Sequence, residues 1–599
     1  MFKKTFKINL FNSRTALARG LSDCRKPPKR QTIRGLKPCG CSRIVLSILL
    51  VSVVTSTVNA DTAEAKHGMV ASVQPLATDA GVAILKSGGN AVDAAIATAL
   101  TLGVVDGHNS GIGGGCFMLV RLADGRTFAL DGREMAGAKA TATMFIRDGK
   151  GDTNLSQNGP LASGVPGSLA VYQYATEHFG KKKLADLLAP GEDYAEHGFP
   201  LGKLYAKGLV KVTPIMARYP GTAAIFLKSD GSNFAAGDII KQPDLAASYH
   251  AIATDGIGWF YGGPFAQAVD KWMASNGGIL TTADFANYQM KVREPLVTQY
   301  RDYTIIGFPP PSSGGVHVAE ILNILSHFDI NALQKQDPVL RVHVISEAMK
   351  LAFADRAFWL GDPDFVHVPR GLIDANYGAE LAKKISLTKC ITDVEHGAPP
   401  AAAEDYFGKH TTHIAAADDA GNWVGITATV NTFMGSKVIV PGTGVILNDQ
   451  MDDFSIQPGV PNAFHLVGGE ANAPGPAKRP LSSMSPTIIL QDGQPVITVG
   501  AAGGPKIITQ VLLVTSNLID LKDDLATAML RPRFHHQWSP DQLWIENTFP
   551  PEMYTGLEKL GHRLDIEPPQ GATQAIIRKP DGTLVGASEP RLPGKAAGW

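Results

Sequence analysis

The feature that most restricts how this chain can fold is a break about two-thirds of the way along it. Residues 391–409 carry Pro399-Pro400 and Ala401-Ala402-Ala403-Glu404-Asp405 with little periodicity, and read as an exposed linker. At His410-Thr411-Thr412-His413 the character changes to a run of strand formers. Thr411–Ala417 and Trp423–Thr432 flank Asp419-Ala420-Gly421, which fits a three-residue hairpin loop with Gly421 in the left-handed position. That register pairs Asp418 with Asn422. Counted outward, it sets Thr411 opposite Thr429, with Asn431 one step beyond on the same face. Taken alone, two facing threonines are simply good strand formers.

Before the break the pattern alternates short apolar strands with helices. Met69–Val73 reads as a strand, and Ala80–Lys86 and Val92–Leu102 read as helices, the second N-capped by Asn90. Phe117–Arg121 and Thr127–Asp131 read as a hairpin, followed by Gly132-Arg133-Glu134. Residues 160–300 are richer in helical periodicity, and Leu340–Trp359 has the spacing of a long amphipathic helix. Pro309-Pro310-Pro311-Ser312-Ser313-Gly314-Gly315 is a rigid turn cluster. After the break the chain reads as strand-rich to its C-terminus, with a further hairpin turn at Asp581-Gly582. No internal repeat stands out.

The balance of 55 basic and 55 acidic residues over 599 positions conceals an asymmetry. Residues 1–43 hold twelve Lys or Arg and one acid, Asp23, so the remainder is acidic by about eleven charges. An acidic body is a poor match for nucleic acid, whose phosphates need a basic footprint. The basic stretch runs into Ile44–Val54, apolar but short for a membrane span, and then into Val58-Asn59-Ala60, where Val58 and Ala60 are small residues at the positions a signal peptidase reads. Residues 1–60 therefore read as a signal peptide with a long basic leader, the alternative being a retained anchor. No Arg-Arg pair precedes the apolar run, so the twin-arginine route is not indicated. Export predicts a periplasmic or secreted protein with no stable membrane span once the leader is removed.

Cys24, Cys39 and Cys41 lie in that leader, leaving Cys116 and Cys390, too few for a disulfide framework. Cys116 follows Gly113-Gly114-Gly115 and is expected to fill a tight packing site. The run Gly111–Gly115 opens a strand, which favours close backbone approach over phosphate binding. Motifs for a serine elbow, a zinc protease, a phosphate loop or a mature C-x-x-C are missing.

Several clusters occur together and in order: Gly111–Gly115, Arg133-Glu134, Pro309–Gly315, the break at His410/Thr411, Asn448-Asp449-Gln450-Met451-Asp452-Asp453-Phe454, Pro480-Leu481-Ser482-Ser483-Met484-Ser485-Pro486-Thr487 and Gly500-Ala501-Ala502-Gly503-Gly504. With them, residues 65–599 closely resemble the gamma-glutamyltransferases, or glutathione hydrolases. The resemblance implies a four-layered αββα sandwich of the N-terminal nucleophile hydrolase type. It also implies an exported precursor that cleaves itself between His410 and Thr411 into a heavy subunit (61–410) and a light subunit (411–599), which stay together as a heterodimer. The chemistry suits a threonine, a poor nucleophile until a base takes its proton. At a new chain start that base is its own α-amino group, with a reference pKa of roughly 7.7–8.0.

Carried over residue by residue, the resemblance makes Thr411 the nucleophile and Thr429 the hydroxyl that orients it. Asn431, Gln450 and Asp453 would accept the α-amino group of a γ-glutamyl substrate, and Arg133, Ser482 and Ser483 would hold its α-carboxylate. Gly503 and Gly504 would offer the backbone N–H groups of an oxyanion hole; Pro505, where the family often has Ser, removes neither. Pro458–Lys478 resembles a lid loop, with Phe464 where a gating aromatic, often Tyr, is expected. His413, on the same strand face as Thr411, is the rival base. Neither a metal nor an organic cofactor is implied. The implied activity cleaves glutathione and related γ-glutamyl amides through an ester on Thr411 and passes the acyl group to water, amino acids or dipeptides. Two alternatives stand beside it: a glutaryl-type acylase of the same fold, and a binding protein that has lost processing.

Overall fold

A computed structural model describes residues 62–400 and 413–599. The leader, the second half of the 391–409 linker, His410 and Thr411 lie outside the described residues. Two seven-stranded sheets organise the rest. Their strands, in chain order, are β1 (Thr62–Ala65), β2 (Gly68–Ser72), β3 (Gly115–Arg121), β4 (Thr127–Gly132), β5 (Lys291–Arg293), β6 (Leu296–Tyr300), β7 (Tyr303–Gly307), β8 (His413–Asp418), β9 (Trp423–Thr429), β10 (Thr487–Gln491), β11 (Gln494–Ala501), β12 (Thr573–Arg578), β13 (Leu584–Ser588) and β14 (Lys595–Gly598). One sheet runs β1-β13-β12-β11-β10-β7-β6 and the other β14-β2-β8-β9-β3-β4-β5. Every neighbouring pair in both is antiparallel.

Strand side chains alternate between faces, so each strand serves two layers. Met69, Phe117, Leu119, Ala415, Ala417 and Trp423 of one sheet meet Ile306, Ile488, Leu490, Ile576 and Leu584 of the other in a core between the sheets. The intervening residues of the first sheet, among them Val70, Met118, Val120, Ile414, Val424 and Ile426, pack on α1 (Pro75–Lys86), α2 (Ala91–Val105), α3 (Ser168–Phe179), α4 (Leu184–His197) and α5 (Pro243–Asp255). Those of the second, Ile305, Ile489, Val499, Ala575 and Val585, pack on α6 (Ser313–Leu325), α7 (Pro338–Trp359) and α8 (Lys506–Ile519). The layers are helix, sheet, sheet, helix, as expected.

Local expectations hold where chemistry is local. Asn90 caps α2 in a capping box with Asp93, because its side chain accepts from Val92 and Asp93 N–H while Asp93 reaches back to Asn90 N–H. The hairpin has the counted register: His413 pairs with Thr427, Asp418 N–H donates to Asn422 O, and Gly421 has φ +98°.

Two expectations are corrected. Helix α7 is not amphipathic, since every residue from Arg341 to Arg356 is buried. Its polar side is covered by the small strand Phe534–His536 and the helix Pro551–Lys559, and buried Lys350 pairs both with Glu347 one turn away and with Asp541, remote in sequence. The tail is not simply strand-rich: α8 intervenes, its β-branched run Ile507-Ile508 reading locally as strand. The described half of the linker has no helix or strand and is largely exposed, as expected, but it is anchored to the body of the protein. Glu347 accepts Ile391 N–H, Trp538 Nε1 donates to Val394 O, and Trp359 Nε1 donates to Gly397 O.

Candidate active site

Trp423, Gly425, Thr427 and Thr429 form the inward-facing row of β9, so Thr429 stands where the inter-sheet layer ends. Thr429 pairs with Gly115 at the start of β3. The glycines before it are a steric necessity: a Cβ on Gly114 would sit 1.8 Å from Thr429 O, and one on Gly113 2.0 Å from Ile446 O. Close backbone approach, not phosphate binding, is what Gly111–Gly115 provides. Cys116 is fully buried beside Tyr172, and burial raises its thiol pKa well above the ordinary value, which suits packing and not nucleophilic chemistry.

Beyond Thr429 the chain turns through Asn431, which takes φ +82°, a conformation Asn tolerates better than most residues. Asn431 N–H donates to Thr429 Oγ1 at 2.7 Å, fixing that hydroxyl's orientation, and Asn431 Nδ2 donates to Asp449 O at 3.0 Å. Asp449 in turn accepts from Thr432 N–H and Oγ1. Asn448 clamps the next turn: its Nδ2 donates to Gly113 O and Gly164 O, and its Oδ1 accepts from Gly164 N–H and Gln450 N–H. These contacts hold the short 3-10 turn Gln450–Asp453 against the end of β4.

There Asp453 meets Arg133. Arg133 is fully buried, with its guanidinium 2.5 Å from Asp453 Oδ2, 3.2 Å from Glu134 Oε2 and 3.2 Å from Pro480 O. Gln450 Nε2 lies 3.3 Å from Asp453 Oδ2. Burial lifts Glu134 to about 7, an effect that neighbouring Arg133 only partly offsets, and burial lifts Asp452 to about 7 and Asp449 to about 6.

Ser482 and Ser483 are fully buried on the next segment. Ser312 and Ser482 form a parallel bridge, Ser313 N–H donates to Ser482 O, and the Ser313 hydroxyl bonds the same carbonyl. The turn cluster Pro309–Gly315 thus has a job: it starts α6 and braces the serine pair.

Thr429, Asn431, Phe464, Gly503 and Gly504 line one cavity of about 790 Å³. Gly503 has φ +123° and Gly504 φ +60°, and neither N–H donates to a backbone acceptor among the described residues. Phe464 lies on Gly504, where an added Cβ would come within 2.5 Å of its ring. The segment 458–478 is tied to the acidic turn: Ala463 N–H donates to Asp452 Oδ2, and Asn462 Oδ1 accepts Phe464 N–H. Arg133, Gln450, Asp453, Ser482 and Ser483 do not line that cavity. They form a second group behind it, joined to Thr429 through Asn431, Asp449 and the 450–453 turn.

His413 is buried between the sheets against Gly425 and Gly500, its Nδ1 3.2 Å from Thr427 Oγ1. Desolvation lowers it to about 3, which makes it a weak base.

Two further basic residues were not singled out from the sequence. Arg356, buried on α7, bonds the Ser313 hydroxyl at 3.1 Å; burial lowers its pKa to about 10, while the charge of Asp453 acts to raise it. Arg479 reaches Asp131 and Arg133 O, each at 3.1 Å, behind the site. Arg356 is one of five charged residues on α7, and nothing in the local pattern separates it from the others. Arg479 carried no signal beyond its place before Pro480.

Comparison with known proteins bears on this arrangement. A family described as gamma-glutamyltranspeptidase matches residues 77–599. The glutathione hydrolase proenzyme of Escherichia coli strain K12 is 43% identical over 532 residues, covering 88% of this chain and 91% of that protein. Cephalosporin acylase from Bacillus halodurans superposes with a TM-score of 0.80 at 30% identity, covering 90% of this chain and 97% of its own. The gamma-glutamyltranspeptidase of Helicobacter pylori gives a TM-score of 0.53 at 38% identity, covering 54% of this chain and 94% of its own.

Proposed function

Because the chain belongs to the gamma-glutamyltranspeptidase family, we propose that it is a self-processing enzyme that cleaves the γ-glutamyl amide of glutathione and related compounds, with Thr411 as nucleophile. The observation that carries this reading is the buried Arg133–Asp453 pair, joined to Thr429 through the 450–453 turn, Asp449 and Asn431. An amino-acid end group brings one ammonium and one carboxylate. It exchanges one internal ion pair for two, so neither buried charge is left alone.

In the proposed sequence, the Thr411 hydroxyl of the precursor attacks the His410 carbonyl, the C–N bond breaks as the acyl group moves to oxygen and frees the Thr411 amine, and water then hydrolyses the ester to release the His410 carboxylate and the Thr411 hydroxyl. The amine then takes the hydroxyl proton as the oxygen attacks the γ-glutamyl carbonyl. Thr429 orients the nucleophile. Gly503 and Gly504 N–H groups stabilise the oxyanion, each donor worth on the order of 10²–10³ in rate. Asn431, Gln450 and Asp453 receive the α-ammonium; Arg133, Ser482 and Ser483 receive the α-carboxylate. The leaving amine takes the proton, and water or an acceptor amine resolves the ester. Phe464 closes over Gly504 and limits water.

The reading includes a heavy part ending at His410 and a light part starting at Thr411, held together as a heterodimer. It also takes residues 1–60 as a leader that exports the protein to the periplasm or the medium. Among the described residues no helix is long and apolar enough to cross a membrane.

The likeness to a cephalosporin acylase supports a second reading, hydrolysis of a glutaryl amide. A glutaryl group lacks the ammonium, so Asp453 would be left without an incoming cation, and this favours γ-glutamyl. Rates on γ-glutamyl and glutaryl anilides decide between them, with a preference for γ-glutamyl expected and the reverse overturning the proposal. N-terminal sequencing and mass spectrometry should give two fragments meeting at Thr411, and Thr411→Ala should remain one chain. A Thr411→Ala chain that still splits at that bond removes Thr411 from the role.

A further inference from the structure

Helix α7 and the turn after the helix Pro551–Lys559 place a second cluster of chemically capable side chains on the outer helical layer. His343 and Glu347 stand one helical turn apart, on the same face of α7. His562 meets them, its Nε2 2.7 Å from His343 Nδ1. One ligand atom from each of the three falls within 4.8 Å of the others, and all three residues are buried.

The hydrogen bonds around the cluster prepare it for a cation. His343 Nε2 lies 2.6 Å from Ser386 O. A carbonyl can only accept, so the proton of the neutral ring sits on Nε2 and the Nδ1 lone pair points at His562. Metal-binding histidines are oriented in this way, by donating the other ring N–H to a carbonyl or carboxylate. Glu347 is half-committed: Oε2 accepts Ile391 N–H, while Oε1 accepts no hydrogen bond among the described residues and faces Lys350 Nζ at 3.2 Å. The position already holds a positive charge, and Lys350 has a second partner in Asp541 at 2.9 Å, so it can leave Glu347 without becoming unpaired. Cys390 ties the segment that leads into the linker to the turn that carries His562. Its N–H donates to Leu560 O, and a Cβ on Gly561, the residue before His562, would lie 2.8 Å from its sulfur.

We propose that His343, Glu347 and His562 form a structural site for a borderline-soft divalent metal ion such as zinc(II), separate from the catalytic cavity. Two imidazoles and a carboxylate are a donor set that such an ion accepts, and water completes four-coordination. Tetrahedral bonds of roughly 2.0–2.1 Å put two nitrogens about 3.3 Å apart, so the rings need to part by only about half an ångström. The ion would tie α7 to the segment 386–391, which leads into the linker, and to the C-terminal part of the chain.

The untagged full chain, stripped with a chelator and dialysed, is titrated with zinc(II) and followed by calorimetry, metal analysis and thermal unfolding. One ion per chain, a raised melting temperature and unchanged turnover of γ-glutamyl anilide are expected. Glu347→Gln and His562→Gln should each weaken the affinity by about tenfold or more. Absence of saturable binding, or binding that both variants leave unchanged, overturns the proposal. If the variants fail to fold, X-ray absorption of the zinc-loaded wild type decides instead. Two imidazole ligands support the site, and fewer than two overturn it.

Discussion

At Arg133 a guanidinium without solvent is held by two carboxylates of different strength. Asp453 takes the shorter contact, and Glu134, lifted to about 7 chiefly by burial, takes the longer. Between about pH 4.5 and 7 the folded chain keeps a proton on Glu134 that the unfolded chain has lost. Stability therefore falls as pH rises through that window and stays at the lower level above it. Glu134→Gln removes this slope. Its melting temperature relative to wild type should be nearly unchanged at pH 5 and higher at pH 8, by up to about 3 kcal/mol in stability. A difference equal at both pH values would show that Glu134 is ionised throughout. Asp106, lifted to about 7 by burial, and Asp449 and Asp452 slope the same way in both proteins, so the comparison isolates Glu134. At this scale the sequence showed which residue types the site holds, and the resemblance said what each would bind. That Arg133 and Asp453 bond each other, and that Arg356 and Arg479 stand behind them, depends on contacts across hundreds of positions, for which short-range pattern carries no signal.

At the scale of elements, the site rests on places where the backbone tolerates no side chain. Gly504 combines φ +60° with a Cβ position 2.5 Å from the Phe464 ring. Gly504→Ala retains the backbone N–H and costs roughly 1–2 kcal/mol in left-handed strain, and it also pushes Phe464 off its seat. Turnover of γ-glutamyl anilide should fall, with a rise in KM. The double variant Gly504→Ala/Phe464→Ala should recover no less than Phe464→Ala alone, because the clash is then gone. A double variant as low as the product of the two single effects would mean that Gly504 acts through its own backbone and not through Phe464. Elements were legible where the period was local: the β8–β9 hairpin and the Asn90 cap follow from a loop type and a capping residue. Helix α7 was misread in its exposure because helical spacing says nothing of what covers the polar side. The Lys506–Ile519 helix was missed because its β-branched start resembles a strand.

On the scale of the whole molecule, the four layers came from the resemblance, while alternating strands and helices in the sequence indicated only a mixed fold. The strand order was out of reach, because the pairing of β1 with β13 joins residues more than five hundred positions apart. That order matters for the proposed cut. The β8–β9 hairpin sits between β2 and β3, β14 lies beyond β2, and the other sheet places β10 to β13 between β7 and β1. Both proposed fragments thus contribute to both sheets, and each needs the other for its hydrogen bonds. They should co-purify at neutral pH and separate only in denaturant. Fragments that part under native conditions would contradict the interleaving.

The interleaved sheets also make the molecule's history part of its stability. While the chain is continuous, every strand searches for its place as part of one covalent body, and dilution does not matter. Once the bond before Thr411 is gone, a strand lost to heat or denaturant must be found again by collision with a separate molecule. The uncut Thr411→Ala chain should regain its fold after denaturation with a yield independent of concentration, whereas the cleaved protein should recover less the more it is diluted. Maturation would then act as a one-way gate: the precursor is the mould, and the finished enzyme no longer carries the means of remaking itself.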